Sequence, residues 1–243
     1  MSAWHDPGHD NVTAGRVRIL SHSHDPFVDR TEAGRLLAAE LSEYRGKSPV
    51  ILGIPRGGIV IARELSRTLD GQLDVVLAHK LGTPGDQELA MGSVAEDGKI
   101  FLNEKVTELV GVNRSDIETE TVRQLTQMRH RTDLIRKVHP KVPLKDRIVI
   151  VTDDGVATGA TTQAAIWAVK AEKPQKLILA VPVGPADTII KLAVLVDEVL
   201  CLRAPPSFAA VGQFYQHFYP VEDEDMLRIL ADEYKKQTPP VGN

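Results

Sequence analysis

Five short apolar runs, separated by segments with helical periodicity, constrain the fold of this 243-residue chain more than any other feature. They are the runs PVILGIP, LDVVLAHKL, RIVIVTDD, KLILAVPVG and EVLCLRA. Nearly continuous apolar runs of this length are typical of strands that are buried on both faces of a parallel sheet. The sequence therefore predicts an α/β fold, with a mostly parallel five-stranded sheet and helices on both faces.

The segments around these runs divide the chain into regions. Residues 1–28 have no apolar period and are rich in His, Asp and Gly, which predicts a flexible leader whose role stays open. Residues 29–204 form the predicted core. Within it, residues 82–101 are rich in glycine and predict a long loop or loose hairpin, of the kind that acts as a lid. Residues 205–243 predict an aromatic-rich C-terminal region that ends in a helix.

Local patterns predict how the helices begin and which faces they expose. Asp29 and Glu32 have the spacing of a capping box, and so do Ser115 and Glu118. The segment from Arg129 to Arg147 has seven Lys and Arg residues against two Asp residues. Such a run is typical of a solvated helix face.

Composition excludes several classes of function. The chain has 29 Lys and Arg against 33 Asp and Glu, and a net charge of −4 repels rather than attracts nucleic acid. No window approaches the roughly 20 apolar residues of a membrane span. The single cysteine, Cys201, lies in an apolar run, which favours a buried strand residue over a nucleophile and fits a reducing cytoplasm.

The stretch IVIVTDDGVATGATT, at residues 148–162, carries the chemistry. Asp153 and Asp154 follow an apolar strand, where their oxygens could accept hydrogen bonds from the two hydroxyls of a ribose diol. A run of small residues then opens a helix, and its backbone N–H groups could hold a phosphate. The predicted 5-phosphate site comprises Ala157, Thr158, Gly159, Ala160, Thr161 and Thr162. A diol site beside a phosphate site describes a ribose 5-phosphate.

Competing motifs do not match this stretch. The sequence contains neither GxxxxGK[ST] nor GxGxxG, which excludes a Walker loop and a dinucleotide fingerprint. An ordinary loop with capping Asp and Thr residues remains an alternative, but it explains neither the acid pair nor the small-residue run.

VIVTDDGVATGATT resembles the phosphoribosyl pyrophosphate (PRPP) binding motif of type I phosphoribosyltransferases, and GIPRGGIVIA resembles the first substrate loop of that family. The likeness to the family covers residues from about 29 to 230, and the run HKLGTPGDQELAMGSVAEDG is similar to a bacterial subgroup of predicted phosphoribosyltransferases. The resemblance implies a type I core with a small C-terminal hood. It also implies Mg²⁺-dependent transfer of 5-phosphoribosyl from PRPP to a nucleobase or related nitrogen heterocycle, with release of pyrophosphate, in nucleotide metabolism. The ion would be held mainly by substrate and water, without a protein metal site.

The resemblance also implies roles for individual residues. Asp153 and Asp154 would act in catalysis, and Lys80 would bring a cation to the pyrophosphate, with Glu88 as a further lid candidate. The pyrophosphate would be held by the loop Arg56, Gly57 and Gly58. Five rings would form either the hood that holds the acceptor or an apolar plug over the sheet: Phe208, Phe214, Tyr215, Phe218 and Tyr219.

Several alternatives stay open at this point. The chain could be a PRPP-sensing regulator without turnover, or a kinase-like enzyme that uses another phosphorylated sugar. The small-molecule acceptor is not implied by the motifs, and a homodimer is one of the assemblies that the sequence allows. One departure bears on the acceptor: the 6-oxopurine salvage members of the family have an aspartate near the position of Ala157.

Overall fold

The computed structural model describes residues 4–5 and 15–237, which form two sheets and the helices around them. The strands are β1 (Trp4–His5), β2 (Arg16–Ser21), β3 (Val50–Gly53), β4 (Gln72–Val75), β5 (Ala78–Thr83), β6 (Asp86–Ala95), β7 (Ile100–Leu102), β8 (Ile148–Thr152), β9 (Lys176–Val183) and β10 (Glu198–Arg203). The α-helices are α1 (Arg30–Glu40), α2 (Gly58–Leu69), α3 (Glu104–Val110), α4 (Arg114–Val138), α5 (Ala160–Lys170), α6 (Ala186–Ala193) and α7 (Asp223–Gln237).

The central sheet has the strand order β2-β10-β9-β8-β3-β4, and all its pairings are parallel. This confirms the predicted α/β class, but the sheet has six strands rather than five. The additional strand is β2, which pairs with β10 so that Val17 lies opposite Val199. The predicted leader is therefore wrong for residues 16–21. β2 lies at the edge of the sheet and pairs with a single strand, so it is more exposed than the inner strands. Its sequence therefore alternates arginines with apolar residues and contains no continuous apolar run. The rest of the leader before Gly15, apart from β1, lies outside the described residues.

A second, smaller sheet has the order β1-β7-β6-β5. The run LDVVLAHKL, predicted as one strand, divides between β4 of the central sheet and β5 of this one. Residues 82–101, predicted as a long loop or loose hairpin, belong to an antiparallel hairpin of β5 and β6, which β7 extends and whose pairing has two register shifts near Gly82. The turn between β5 and β6 contains Gly85, whose φ of +85° suits a glycine. Phe101 stacks on Trp167 of α5, with ring centroids 5.0 Å apart, and this joins the small sheet to the core.

Helices cover both faces of the central sheet, as predicted. One buried apolar cluster includes Leu37 of α1 and Leu65 of α2, and the other includes Ile166 of α5 and Leu192 of α6. The strand residues alternate between the two clusters, as the period of a strand requires. The sheet is therefore buried on both faces, which explains its nearly continuous apolar runs.

The helix starts agree only in part with the sequence. The side chain of Asp29 accepts a hydrogen bond from the backbone N–H of Glu32 at 2.8 Å, so the cap of α1 is confirmed. The capping box predicted at Ser115 and Glu118 is wrong. Asn113 and Asp116 form it two residues earlier, because asparagine is an equally good N-cap.

The basic segment from Arg129 to Arg147 is not uniformly a solvated face. Arg136 is largely buried between Asp74 of β4 and Glu96, which follows β6, because its fork-shaped guanidinium can pair with both carboxylates. Within residues 15–237, no helix is both long enough and apolar enough to cross a membrane.

Candidate functional site

The central sheet has a topological switch point between β3 and β8. From β3 the chain continues to the neighbouring β4 on one side, whereas from β8 it continues to β9 and β10 on the other side. In sheets wound in this way, a crevice opens at the carboxyl ends of the two strands and is the usual place for a ligand. The loop with Arg56 follows β3, and Asp153 and Asp154 follow β8, so both predicted loops lie at this crevice.

The two loops are in direct contact, and the contact requires two glycines. A Cβ atom on Gly57 would lie 2.0 Å from Oδ2 of Asp154, and one on Gly58 would lie 2.8 Å from the carbonyl oxygen of Thr152. A side chain at either position would therefore displace the strand end or the acid beside it. The peptide bond between Pro55 and Arg56 is cis.

The two acids have different environments. Oδ1 of Asp153 accepts a hydrogen bond from the backbone N–H of Asp154 at 2.8 Å, and both residues are half-buried. Burial, followed by the charge of Asp154, raises the pKa of Asp153 well above its usual range. Asp154 instead pairs with a guanidinium, so one carboxylate of the pair has a cationic partner.

That guanidinium belongs to Arg30, which sequence reasoning missed. Its Nε and Nη2 each lie 2.8 Å from Oδ2 of Asp154, and its Nη1 donates to the carbonyl of Tyr219 at 2.8 Å. The guanidinium also lies 3.9 Å from the centre of the Phe218 ring. Arg30 and Asp154 are 124 residues apart in the sequence, and no local pattern identifies an arginine in the first turn of α1 as the partner of this acid.

The predicted 5-phosphate segment forms the start of α5. Gly159 is the N-cap with a φ of +84°, and no side chain caps the helix there. The backbone N–H groups of the first turn are therefore available to an anion. Ala157, Thr158 and Thr161 are exposed and Ala160 is half-buried, whereas Gly159 and Thr162 are buried. The hydroxyl of Thr162 is thus inside the fold and not on the open surface of the loop.

A cleft of about 310 Å³ lies beside Pro55, which precedes the Arg56 loop, and Thr161 in the first turn of α5. Its lining also includes the basic side chains of His79, His130 and Arg131, together with the carboxylate of Asp223. For two of these residues the only sequence signal is the basic run on α4, a pattern that by itself indicates a solvated face. Arg131 is paired with Asp223, with Nη2 3.2 Å from Oδ1, so the cleft carries charges of both signs.

The two lid candidates are less clearly placed. Lys80 lies in β5 opposite Ser93 of β6 and is half-buried, but it does not line the cleft, which His79 borders instead. Neighbouring residues of a strand point to opposite faces, which explains the difference. The side chain of Glu88 lies outside the described part of the structure. Both residues stay predictions.

The aromatic segment after β10 covers the acid pair. Phe214 and Tyr215 are buried, and the hydroxyl of Tyr215 donates to the carbonyl of Asp154 at 2.6 Å. Phe208 stacks on Phe214 at 5.1 Å, whereas Tyr219 keeps 72% of its surface exposed. The buried rings therefore act as the plug, and the exposed end of the segment is free to contact a ligand.

Cys201 is a buried strand residue, as predicted. Its Sγ lies 3.2 Å from the carbonyl of Arg203, and burial raises the pKa of the thiol to about 12. A thiol in that state is not a nucleophile near neutral pH.

Comparison with known proteins was consistent with the geometry. Residues 29–215 match the phosphoribosyl transferase domain family. The Mycobacterium tuberculosis protein named "Putative phosphoribosyl transferase Rv0571c" is 40% identical over 204 residues, which are 84% of this chain and 46% of that protein. The chain thus spans about half the length of this relative. The crystal structure of TT1426 from Thermus thermophilus superposes with a TM-score of 0.81 at 42% identity, covering 85% of this chain and 98% of that one.

Proposed function

The chain belongs to the phosphoribosyl transferase domain family, and on that premise we propose that it transfers the 5-phosphoribosyl group of PRPP to a nitrogen nucleophile, with release of pyrophosphate. The observation that carries the proposal is the contact between Asp154 and Gly57 at the switch point. This contact supports a site in which the acids accept from the ribose diol while the neighbouring loop holds phosphate. The uncapped start of α5 supports a second anion site, for the 5-phosphate, which PRPP needs in addition to a site for its pyrophosphate.

In this proposal each segment has one task. Asp153 and Asp154 accept hydrogen bonds from the 2′- and 3′-hydroxyls, and the first turn of α5 holds the 5-phosphate. Arg56 and the two glycines that follow hold the pyrophosphate. Arg56 pairs with Glu222 at 2.9 Å, but both side chains are largely exposed, so the guanidinium can exchange this weak pair for phosphate oxygens. The protein mainly positions the substrate and stabilises the charge that develops at C1.

The residues present fit Mg²⁺ bound together with its substrate. Residues 4–5 and 15–237 contain no group of three His, Cys, Asp or Glu side chains that could hold a metal ion by themselves. Mg²⁺ commonly retains water and takes phosphate oxygens as ligands, and the acid pair can accept hydrogen bonds from such waters. When bound, the ion would neutralise pyrophosphate as it leaves.

The cellular setting is part of the same proposal. The inert thiol of Cys201 suits a reducing compartment, and we place the reaction in the cytoplasm, in nucleotide metabolism. PRPP and a small acceptor are the expected ligands, and a net charge of −4 gives nucleic acid no general attraction.

Calorimetry with PRPP and Mg²⁺ is the first test, followed by assays of pyrophosphate release with a panel of bases. Binding with turnover would support the transferase. Binding without turnover of any base would favour a PRPP sensor, and the absence of both PRPP binding and pyrophosphate release would contradict the proposal.

The hairpin of residues 82–101 is expected to close over bound PRPP. Residues 84–87 and Leu89, at its tip, are exposed, and two register shifts loosen the pairing near Gly82. We expect thermolysin to cut the free protein at Leu89, and PRPP with Mg²⁺ to slow that cut about tenfold, because ordering a lid suppresses local opening.

Leu109 provides an internal control for this experiment. It lies in α3 with 85% of its surface exposed, and its cleavage should be insensitive to the ligand. Equal rates at Leu89 with and without PRPP would count against a lid.

Hypoxanthine and guanine are expected to be poor acceptors. The exposed Ala157 offers a methyl group where the 6-oxopurine enzymes have an aspartate, and neither Thr158 nor Thr161 can act as a general base near neutral pH. Pyrophosphate release should be compared for adenine, guanine, hypoxanthine, orotate and uracil.

The matched variant is Ala157→Asp, which places a carboxylate at an open position. It should raise release with the two 6-oxopurines relative to the other bases. Efficient turnover of guanine or hypoxanthine by the unchanged protein would refute the argument.

A further inference from the structure

We propose that Arg30 is a positioning residue that links the hood, residues 205–222, to the ribose-binding acid, so that contacts in the hood change the affinity for PRPP. The inference rests on the proposed function, because it takes Asp154 as an acceptor for the ribose diol. It adds to the site a residue that the sequence motifs do not contain. It also makes PRPP binding at the acid pair depend on contacts in the hood.

The guanidinium of Arg30 is held on three sides. Nε and Nη2 hold one oxygen of Asp154, Nη1 holds the carbonyl of Tyr219, and the ring of Phe218 covers the plane at 3.9 Å. Arg30 is only 9% exposed. A planar fork fixed on three sides leaves its carboxylate partner little freedom, which a flexible lysine ammonium could not achieve.

Asp154 is tied to the hood by its backbone as well. The Tyr215 hydroxyl donates to the backbone carbonyl of Asp154 at 2.6 Å. The hood therefore holds the backbone of Asp154 directly and its carboxylate through Arg30. Oδ2 of Asp154, the oxygen that Arg30 holds, lies 2.0 Å from the position that a Cβ on Gly57 would occupy. A displacement of the hood segment around residue 219 would therefore be transmitted through Arg30 to the surface that faces PRPP.

Arg30 also supplies the cationic partner of the acid pair. From α1 the pair faces Arg30, and from the hood it faces the Tyr215 hydroxyl; Arg203 lies over the ring of Phe27, which is next to Tyr215. The pyrophosphate loop contributes two glycines, and its Arg56 is paired with Glu222. If Arg30 is removed, the carboxyl groups of Asp153 and Asp154 lose their cationic partner. At least one of the two would then keep its proton to a higher pH.

The experiment compares PRPP affinity, measured by calorimetry with Mg²⁺ between about pH 6.5 and 8.5, for the wild type, Arg30→Gln and Arg30→Lys. Arg35→Gln is the matched control, because it removes a guanidinium from the same helix that is exposed and pairs with Glu64. Ratios to the wild type at each pH cancel the titration of PRPP itself. A thermal melt of each variant reports its folding.

We expect Arg30→Gln to bind PRPP about tenfold more weakly at the lower pH, with the difference narrowing as the pH rises and the acids ionise. Arg30→Lys should recover part of the affinity, and Arg35→Gln should match the wild type. A constant ratio near one for Arg30→Gln would overturn the inference while leaving the proposed function intact. A wild type that does not bind PRPP would overturn both.

Phe218→Leu keeps the test decisive if Arg30→Gln does not fold. It removes the ring over the guanidinium, alters no charge, and changes a side chain that is 37% exposed. We expect PRPP affinity to fall about threefold with an unchanged melting temperature. In an Arg30→Lys background, the same substitution should have a smaller effect, because the coupling runs through the guanidinium. Unchanged affinity in Phe218→Leu would contradict the proposed link.

Discussion

Replacing Arg136 with methionine is expected to destabilise the protein by about 3 to 5 kcal/mol, because it leaves two buried carboxylates without their cation. Nη1 of Arg136 lies 2.8 Å from Asp74, and Nε and Nη2 lie 2.8 and 2.6 Å from the two oxygens of Glu96. The side chains of Asp74 and Glu96 are 2% and 7% exposed. The melting temperature should fall by roughly 6 to 20 °C.

The charge state supports this expectation. Burial alone would lower the pKa of Arg136, but the two carboxylates more than offset that effect and raise it. The arginine is therefore charged at neutral pH, and methionine replaces its volume without its charge. Glu96 directly follows β6, so the pair also fastens the base of the hairpin to the core.

Two further variants make this result specific. Arg114→Met removes an arginine from the same helix, where it pairs with Glu118 on the surface, and it should change stability by much less than Arg136→Met. Adding Glu96→Gln to Arg136→Met should recover part of the loss, since one unpaired charge is then absent. Equal losses for Arg114→Met and Arg136→Met would show that the buried network is not responsible.

The sequence predicted the central sheet because its strands are buried on both faces. The five apolar runs correspond to β3, β4 with β5, β8, β9 and β10. The sequence could not predict β2, because this strand lies at the sheet edge, pairs only with β10 and therefore lacks a continuous apolar run. The sequence also could not predict that LDVVLAHKL divides between two sheets. Both halves of the run are apolar, and the change of sheet depends on which elements pack against each half.

The candidate site divides in the same way. Asp153, Asp154 and the two-glycine loop follow directly from motifs at strand ends, and parallel topology brings such ends together. Arg30 contacts the acids across 124 residues of chain, and its importance depends on a three-dimensional fit that no short pattern encodes. Arg131 and Arg136 belong to one basic run, and only the fold distinguishes the cleft residue from the buried anchor.

Changing Asp153 and Asp154 together to alanine is expected to weaken PRPP binding strongly. Each ribose hydroxyl that is left without its acceptor in a closed site should cost roughly 1 to 3 kcal/mol, so the affinity should fall at least about 30-fold. Calorimetry with PRPP and Mg²⁺ measures this directly. The matched control, Glu43→Ala with Glu224→Ala, removes the same charge from exposed positions and should bind as the wild type does.

A site that exists for binding should also cost stability, and the acid pair allows this to be measured. The pKa of Asp153 is raised in the folded protein, so its ionised form favours the unfolded chain, and this cost appears as the pH rises above the ordinary value of the group. Asp153→Asn keeps an oxygen that can accept from the N–H of Asp154 but removes the charge. We expect its melting temperature to exceed that of the wild type near neutral pH and the difference to vanish near about pH 4, while its PRPP affinity falls. If Asp153→Asn lowers both the stability and the PRPP affinity, Asp153 serves the fold. If the PRPP affinity is unchanged in both Asp153→Asn and the double alanine variant, the diol assignment is refuted.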